Sequence, residues 1–121
     1  MTTSYIRTGD CPRVKVPGNQ GEVSEILNHE LCGAKNVRAM LRWLGPGQQL
    51  DAQAREDTHQ LVYLMEGEGV VTLNSKQYPV AKGAGFYLGP SESASIRQEG
   101  NVPLKLFHLM VPKLKKSYNT T

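Results

Sequence analysis

The sequence predicts a single all-β domain, and three observations carry that prediction. The run from His59 to Leu73 places β-favouring Leu, Val and Tyr up to Glu66, breaks at Gly67-Glu68-Gly69 and resumes as Val70-Val71-Thr72-Leu73, which reads as a β-hairpin. Twelve glycines and seven prolines with 7% aromatic residues suit a turn-rich β protein. At 121 residues the chain is long enough for one hydrophobic core and too short for two.

Composition narrows the function classes. No apolar run is long enough to cross a membrane as a helix. The formal charge of +3 is local, because Lys113, Lys115 and Lys116 lie in the last nine residues and the remaining 11 basic residues face 11 acidic ones. A basic tail on a neutral body is a solvated end, so nucleic-acid binding is not expected. Cys11 and Cys32 follow an N-terminus without a signal segment, which points to two free thiols and a cytoplasmic location, with pairing left open.

Two stretches stand out, Tyr63-Leu64-Met65-Glu66-Gly67-Glu68-Gly69 and Lys82 to Gly100. The first resembles the Y-V-L-E-G-E-G signature of the cupin family, and the second follows that family's second motif, K-G-D-x-x-Y-I-P-P-G-x-x-H-S-I-R-N-E-G, without a gap. The resemblance implies a double-stranded β-helix, or jelly-roll barrel, that in most members holds a metal. The first motif's Gly, His, His, Glu and Gly positions fall on Gly47, Gln53, Arg55, Gln60 and Gly67, and the second motif's His position falls on Ala94. The spacing fits and the ligand types do not: amides are poor ligands, and a guanidinium repels a divalent ion.

In chain order, residues 1–21 read as an N-terminal arm or edge strand, with Val14-Lys15-Val16 among Pro and Gly breakers. Residues 22–112 read as the barrel and 113–121 as the basic tail. Glu22 to Cys32 fits a short helix or a strand on pattern, and the resemblance selects the strand; His29 within it reads as a surface residue. In Val37 to Leu44, alternation puts Arg38, Met40, Arg42 and Leu44 on one face and Val37, Ala39, Leu41 and Trp43 on the other. If the arginine face lines the barrel, Arg42 is a pocket cation; the outer surface is the slightly preferred placement. Asn74 to Gln77 is a polar turn before Tyr78-Pro79-Val80, and Lys82 to Gly85 is a second turn. In Leu104 to Val111, Leu104, Leu106, His108 and Met110 should face the barrel while Lys105 faces solvent.

In the family register the pocket comprises Gln53, Arg55, Gln60, Ala94, Gln98 and His108, over a floor of Val62, Leu64, Ile96 and Met110. Amides and a guanidinium above apolar surface suit a small polar, anionic molecule, bound without a metal or other cofactor. If the protein is an enzyme, His108 is the proton carrier and Arg55 stabilises developing negative charge, as in a metal-independent isomerase, epimerase or cyclase. A buried, merely bonded His108 is weighed evenly with that role. Two alternatives stay open: a divalent transition metal on a displaced set of Glu56, Asp57, His59 and His108, serving a dioxygenase or cyclase, and a non-catalytic sensing or interaction module. The outward Leu61, Tyr63 and Met65, with the cupin resemblance, imply a homodimer.

Overall fold

A computed structural model describes residues 6–28 and 37–112. His29, Cys32 and the lysines of the tail lie outside these residues. After a 3-10 turn at Thr8–Asp10 come ten strands: β1 Val14–Lys15, β2 Glu22–Leu27, β3 Arg38–Leu44, β4 Gln49–Ala52 and β5 Thr58–Glu66, then β6 Glu68–Leu73, β7 Lys76–Ala81, β8 Gly85–Leu88, β9 Ala94–Glu99 and β10 Leu104–Pro112. They form two antiparallel sheets, one ordered β1-β2-β3-β10-β5-β8 and the other β4-β9-β6-β7. The architecture is the jelly roll that the motifs implied.

Strand alternation explains how the sheets meet. In β5 burial alternates from Thr58 through Leu64, and in β10 from Leu104 through Met110, so one face of each strand is withdrawn from water. Leu44, Val62, Leu64, Ile96, Leu104 and Leu106 are fully buried between the sheets. Each such side chain contributes about 1.5–3 kcal/mol of burial free energy.

The expected hairpin across Gly67 is not one. β5 pairs with β10 and β8, whereas β6 pairs with β7 and β9, so the chain changes sheets at this point. Gly67 makes the corner at φ 89°, and a Cβ there would stand 2.8 Å from the carbonyl oxygen of Pro103. The hairpin lies one step later, between β6 and β7. There Asn74 and Ser75 both take positive φ, 50° and 67°, in a two-residue turn closed by the Leu73 and Lys76 pair. The polar run foreseen as a four-residue turn is therefore half strand.

The N-terminal segment packs onto the barrel at two places. Ser24 Oγ donates to the carbonyl of Cys11, which lays that segment over the outer face of β2 and β3, where Ala39 and Leu41 are buried. The turn after β1 is tied to the far end of β3: Asn19 Nδ2 donates to Gly47 O at 2.8 Å, and Gln49 N donates to Asn19 O at 3.2 Å. No described helix is long and apolar enough to cross a membrane.

Candidate functional site

A cavity of about 180 Å³ opens beside the inner face of the larger sheet. β3 supplies Arg38, Met40 and Arg42, β4 Leu50, Asp51 and Ala52, the following connection Gln53 and Arg55, β5 Gln60, and β10 His108 and Met110. Val16 and Gln20 of the N-terminal turn close one side, with Gln20 Oε1 accepting from the Asp51 amide at 3.0 Å. A larger groove of about 780 Å³ runs past Arg13, Trp43 and Lys105. Its Arg13 is already occupied, stacked 3.8 Å from the Trp43 ring centre and paired with Glu22 at 2.7 Å. The smaller cavity is the one that gathers Gln53, Arg55, Gln60 and His108.

Sheet register sets its central contacts. β10 runs between β3 and β5, with Leu106 opposite Arg42, His108 opposite Met40 and Val62, and Met110 opposite Gln60. Arg42 and Gln60 are thus diagonal neighbours of His108 on its two sides, within reach of long side chains. Arg42 Nε donates to His108 Nδ1 at 3.0 Å, and His108 Nε2 lies 2.9 Å from Gln60 Oε1. Gln60 Nε2 in turn donates to the carbonyl of Gln53 at 2.9 Å.

These contacts assign the tautomer. A guanidinium can only donate, so Nδ1 must accept and carries no proton; the neutral ring then holds its proton on Nε2 and gives it to the Gln60 oxygen. The Gln60 amide is oriented by the same logic, since its nitrogen is committed to the Gln53 carbonyl. Burial is the main cause of a His108 pKa pushed down to about 3, and the positive charges of Arg42, Arg55 and Arg38 add to it. Burial also lowers the pKa of Arg42, with a further push from Arg38 and an opposing pull from Glu25.

Two expectations need correction. Arg42 is not on the outer surface: the arginine face of β3 is the one that lines the cavity, because β2 and β10 flank the strand and the Cys11 segment covers its opposite side. His108 is inside, yet it does not titrate near neutrality as a proton carrier should. Its basic lone pair already accepts from Arg42, and protonation would set two cations against each other in a desolvated site.

The cavity brings together Gln53, Arg55, Gln60, His108 and Arg42, and leaves out Ala94 and Gln98. Ala94 pairs with Ala52 across β4 and β9 and packs in the core. Gln98 donates from Nε2 to Gly100 O and Val102 O, both at 3.0 Å, and so braces the turn before β10. Of the expected floor, Met110 lines the cavity, whereas Val62, Leu64 and Ile96 lie deeper in the core. Arg38, Met40, Asp51 and Gln20 were not foreseen as site residues. The alternation that puts Arg38 beside Arg42 was available, but nothing local indicates that the 16–21 turn folds over the opening.

The displaced metal set does not assemble. His59 faces away from the barrel, with Nδ1 2.5 Å from Tyr87 Oη and its ring stacked on Tyr87, while Glu56 and Asp57 sit in the exposed turn before β5 and His108 faces the interior. Among the described residues no three His, Cys, Asp or Glu side chains come together. The cavity itself offers amides, three guanidinium groups, the single carboxylate of Asp51 and a histidine whose lone pair is engaged, a donor set that does not fit a divalent metal.

Comparison with known proteins agrees with this architecture. Residues 39–113 match the AraC-like ligand binding domain. An oxalate-binding protein of Thermotoga maritima is 28% identical over 96 residues, covering 78% of this chain and 79% of that protein. An uncharacterized protein of Methanocaldococcus jannaschii is 34% identical over 55 residues; the match covers 46% of this chain and spans 44% of the length of that relative. Among solved structures, a predicted oxalate decarboxylase from T. maritima superimposes with a TM-score of 0.76 at 25% identity, over 90% of this chain and 99% of that one. KdgF from Halomonas sp. shares the fold at a TM-score of 0.76 and 14% identity, over 96% and 99% of the two chains. A match over more than half of the sequence, on a barrel of this topology, makes the chain a member of the AraC-like ligand-binding domain family, with the cupin fold.

Proposed function

We propose that this protein binds a small anionic molecule in the barrel cavity without a metal, with Arg42 and Arg55 as its anchors and Gln53 as a further polar contact. One observation carries the reading: Arg42 reaches into the cavity with its Nε held by a neutral histidine and its Nη2 3.6 Å from Met40 Sδ, which leaves Nη1 and the second Nη2 hydrogen for a ligand. The volume of about 180 Å³ is small beside the roughly 300–1,000 Å³ of ordinary ligand pockets and favours a short ligand. The T. maritima relative named as oxalate-binding supports an anion of this size.

Binding is favoured over turnover. An isomerase, epimerase or cyclase step needs a group that exchanges protons near neutral pH, and His108 is held neutral with both ring nitrogens engaged. A sensing role for the bound molecule accords with the ligand-binding family to which the chain belongs.

Thermal unfolding with millimolar short-chain carboxylates tests this reading. The midpoint should rise with ligand concentration in the wild-type protein and stay flat in Arg42→Gln. An equal rise in both proteins would remove Arg42 from the site.

The same chain is proposed to form a homodimer through the outer face of β10, β5 and β8. Leu61, Tyr63 and Tyr87 are 40%, 44% and 58% exposed, and the register sets Leu61 against Tyr87 in one continuous apolar patch. Sedimentation at micromolar concentration should give twice the chain mass, and Leu61→Glu with Tyr63→Glu should halve it.

A further inference from the structure

Six arginines lie among the described residues, and four of them have a carboxylate within ion-pairing distance. Arg7 pairs with Asp10, Arg13 with Glu22, Arg38 with Glu25 and Arg97 with Glu99, at 3.8, 2.7, 3.2 and 3.3 Å. The two without a described carboxylate partner are Arg42 and Arg55, and both line the cavity. Pairing thus sets Arg42 and Arg55 apart from the other four, of which Arg38 also lines the cavity.

The third cavity arginine, Arg38, is matched by Glu25, and His108 is neutral. Asp51 also lines the cavity, but it is exposed, and its carboxylate accepts from Gln49 Nε2 at 2.9 Å. Glu25 is the one carboxylate that acts appreciably on Arg42, and it is engaged by Arg38. Asp51 is thus the one carboxylate in the lining, and neither Arg42 nor Arg55 has a carboxylate within ion-pairing distance among the described residues. They stand on different elements, Arg42 within β3 and Arg55 in the connection after β4.

We infer that the ligand of this cavity is a short-chain dicarboxylate, one carboxylate taken by Arg42 and the other by Arg55. The inference rests on the anion-binding reading above and adds the charge of the ligand. Each guanidinium is a planar donor array suited to one carboxylate. Because Nε of Arg42 is committed to His108 and Nη2 donates to Met40 Sδ at 3.6 Å, that residue meets its carboxylate through Nη1 and the remaining Nη2 hydrogen, and the placement of Arg55 on a different element supplies the second grip. Met40 and Met110 offer apolar surface for the short carbon chain between the two ends.

The test is calorimetric titration at pH 7 with oxalate, malonate and succinate against acetate, propanoate and inorganic phosphate. At least one dicarboxylate should bind about tenfold or more tightly than either monocarboxylate, as expected for a second charge-assisted contact. In Arg55→Gln, a change at an exposed residue that leaves the barrel intact, this preference should collapse while the weaker monocarboxylate binding persists. Equal affinity for mono- and dicarboxylates in the wild-type protein would overturn the inference and leave the anion-binding reading standing. Phosphate bound as tightly as the best dicarboxylate would also overturn it, by placing both arginines on one dianionic centre. Absence of binding by every anion would overturn both.

Discussion

The Nε of Arg42 and the Nδ1 of His108 stand 3.0 Å apart, so the most buried cation of the cavity is oriented by a neutral imidazole and not by a carboxylate. A carboxylate in that place would neutralise the guanidinium and weaken its pull on an incoming anion. A neutral acceptor fixes its direction and leaves its charge unspent.

The low pKa of His108 makes acid stability depend on this ring. Its folded value, about 3, lies below the ordinary 6.5, so between those pH values the unfolded chain takes up a proton that the folded protein refuses. The stabilisation is fully present above pH 6.5 and is lost as pH falls towards 3, by roughly 3–5 kcal/mol over the whole window. His108→Asn keeps an acceptor for Arg42 and has nothing to titrate, so its unfolding free energy should fall less steeply between pH 6.5 and 4. Parallel curves for the two proteins would show that His108 is not the group responsible.

Gln60→Glu should raise that pKa. A carboxylate 2.9 Å from Nε2, in place of the amide oxygen, favours the imidazolium against the burial and the arginines that oppose it. Nitrogen NMR shifts of the ring, followed with pH, should move the transition upward from the wild-type value; an unchanged titration would contradict the assigned contact.

Arg42→Met should separate binding from stability. The guanidinium is partly buried and has no described carboxylate partner, so its loss removes a desolvation cost together with one hydrogen bond to His108. Chemical denaturation should register a change within about 1 kcal/mol in either direction. Carboxylate-induced stabilisation should vanish in the same protein, and its survival would place the anion elsewhere.

Gly67→Ala should cost more than Gly83→Ala. Both residues have positive φ, 89° and 98°, but a Cβ at Gly67 meets the Pro103 carbonyl at 2.8 Å, whereas one at Gly83 meets nothing within 4 Å. Backbone strain of about 1 kcal/mol is common to the two, and the clash at the sheet-to-sheet corner should roughly double or triple the loss for Gly67. Urea denaturation of the pair would measure the difference directly; equal losses would mean that the corner relaxes freely.

The cupin motifs implied the barrel, and period-two patterning determined which side chains share a face in several of its strands. It assigned Leu104, Leu106, His108 and Met110 to one face of β10 and Val62 and Leu64 to the inner face of β5, because alternation is a property of the extended chain itself. The motif spacing likewise brought Gln53, Arg55 and Gln60 to one neighbourhood. Alternation yields two faces, however, and does not say which of them is covered. Long-range pairing decided that the arginine face of β3 looks inward, that β5 and β6 part company at Gly67, and that the turn carrying Gln20 folds over the opening. The state of His108 was equally beyond local pattern, since it depends on burial and on charges contributed by β3 and by the connection after β4. Which side chains meet in a cavity, and how they shift one another's protons, depends on distances through space between residues far apart in the chain; Arg42 and His108, 66 positions apart, are neighbours only once the sheet has formed.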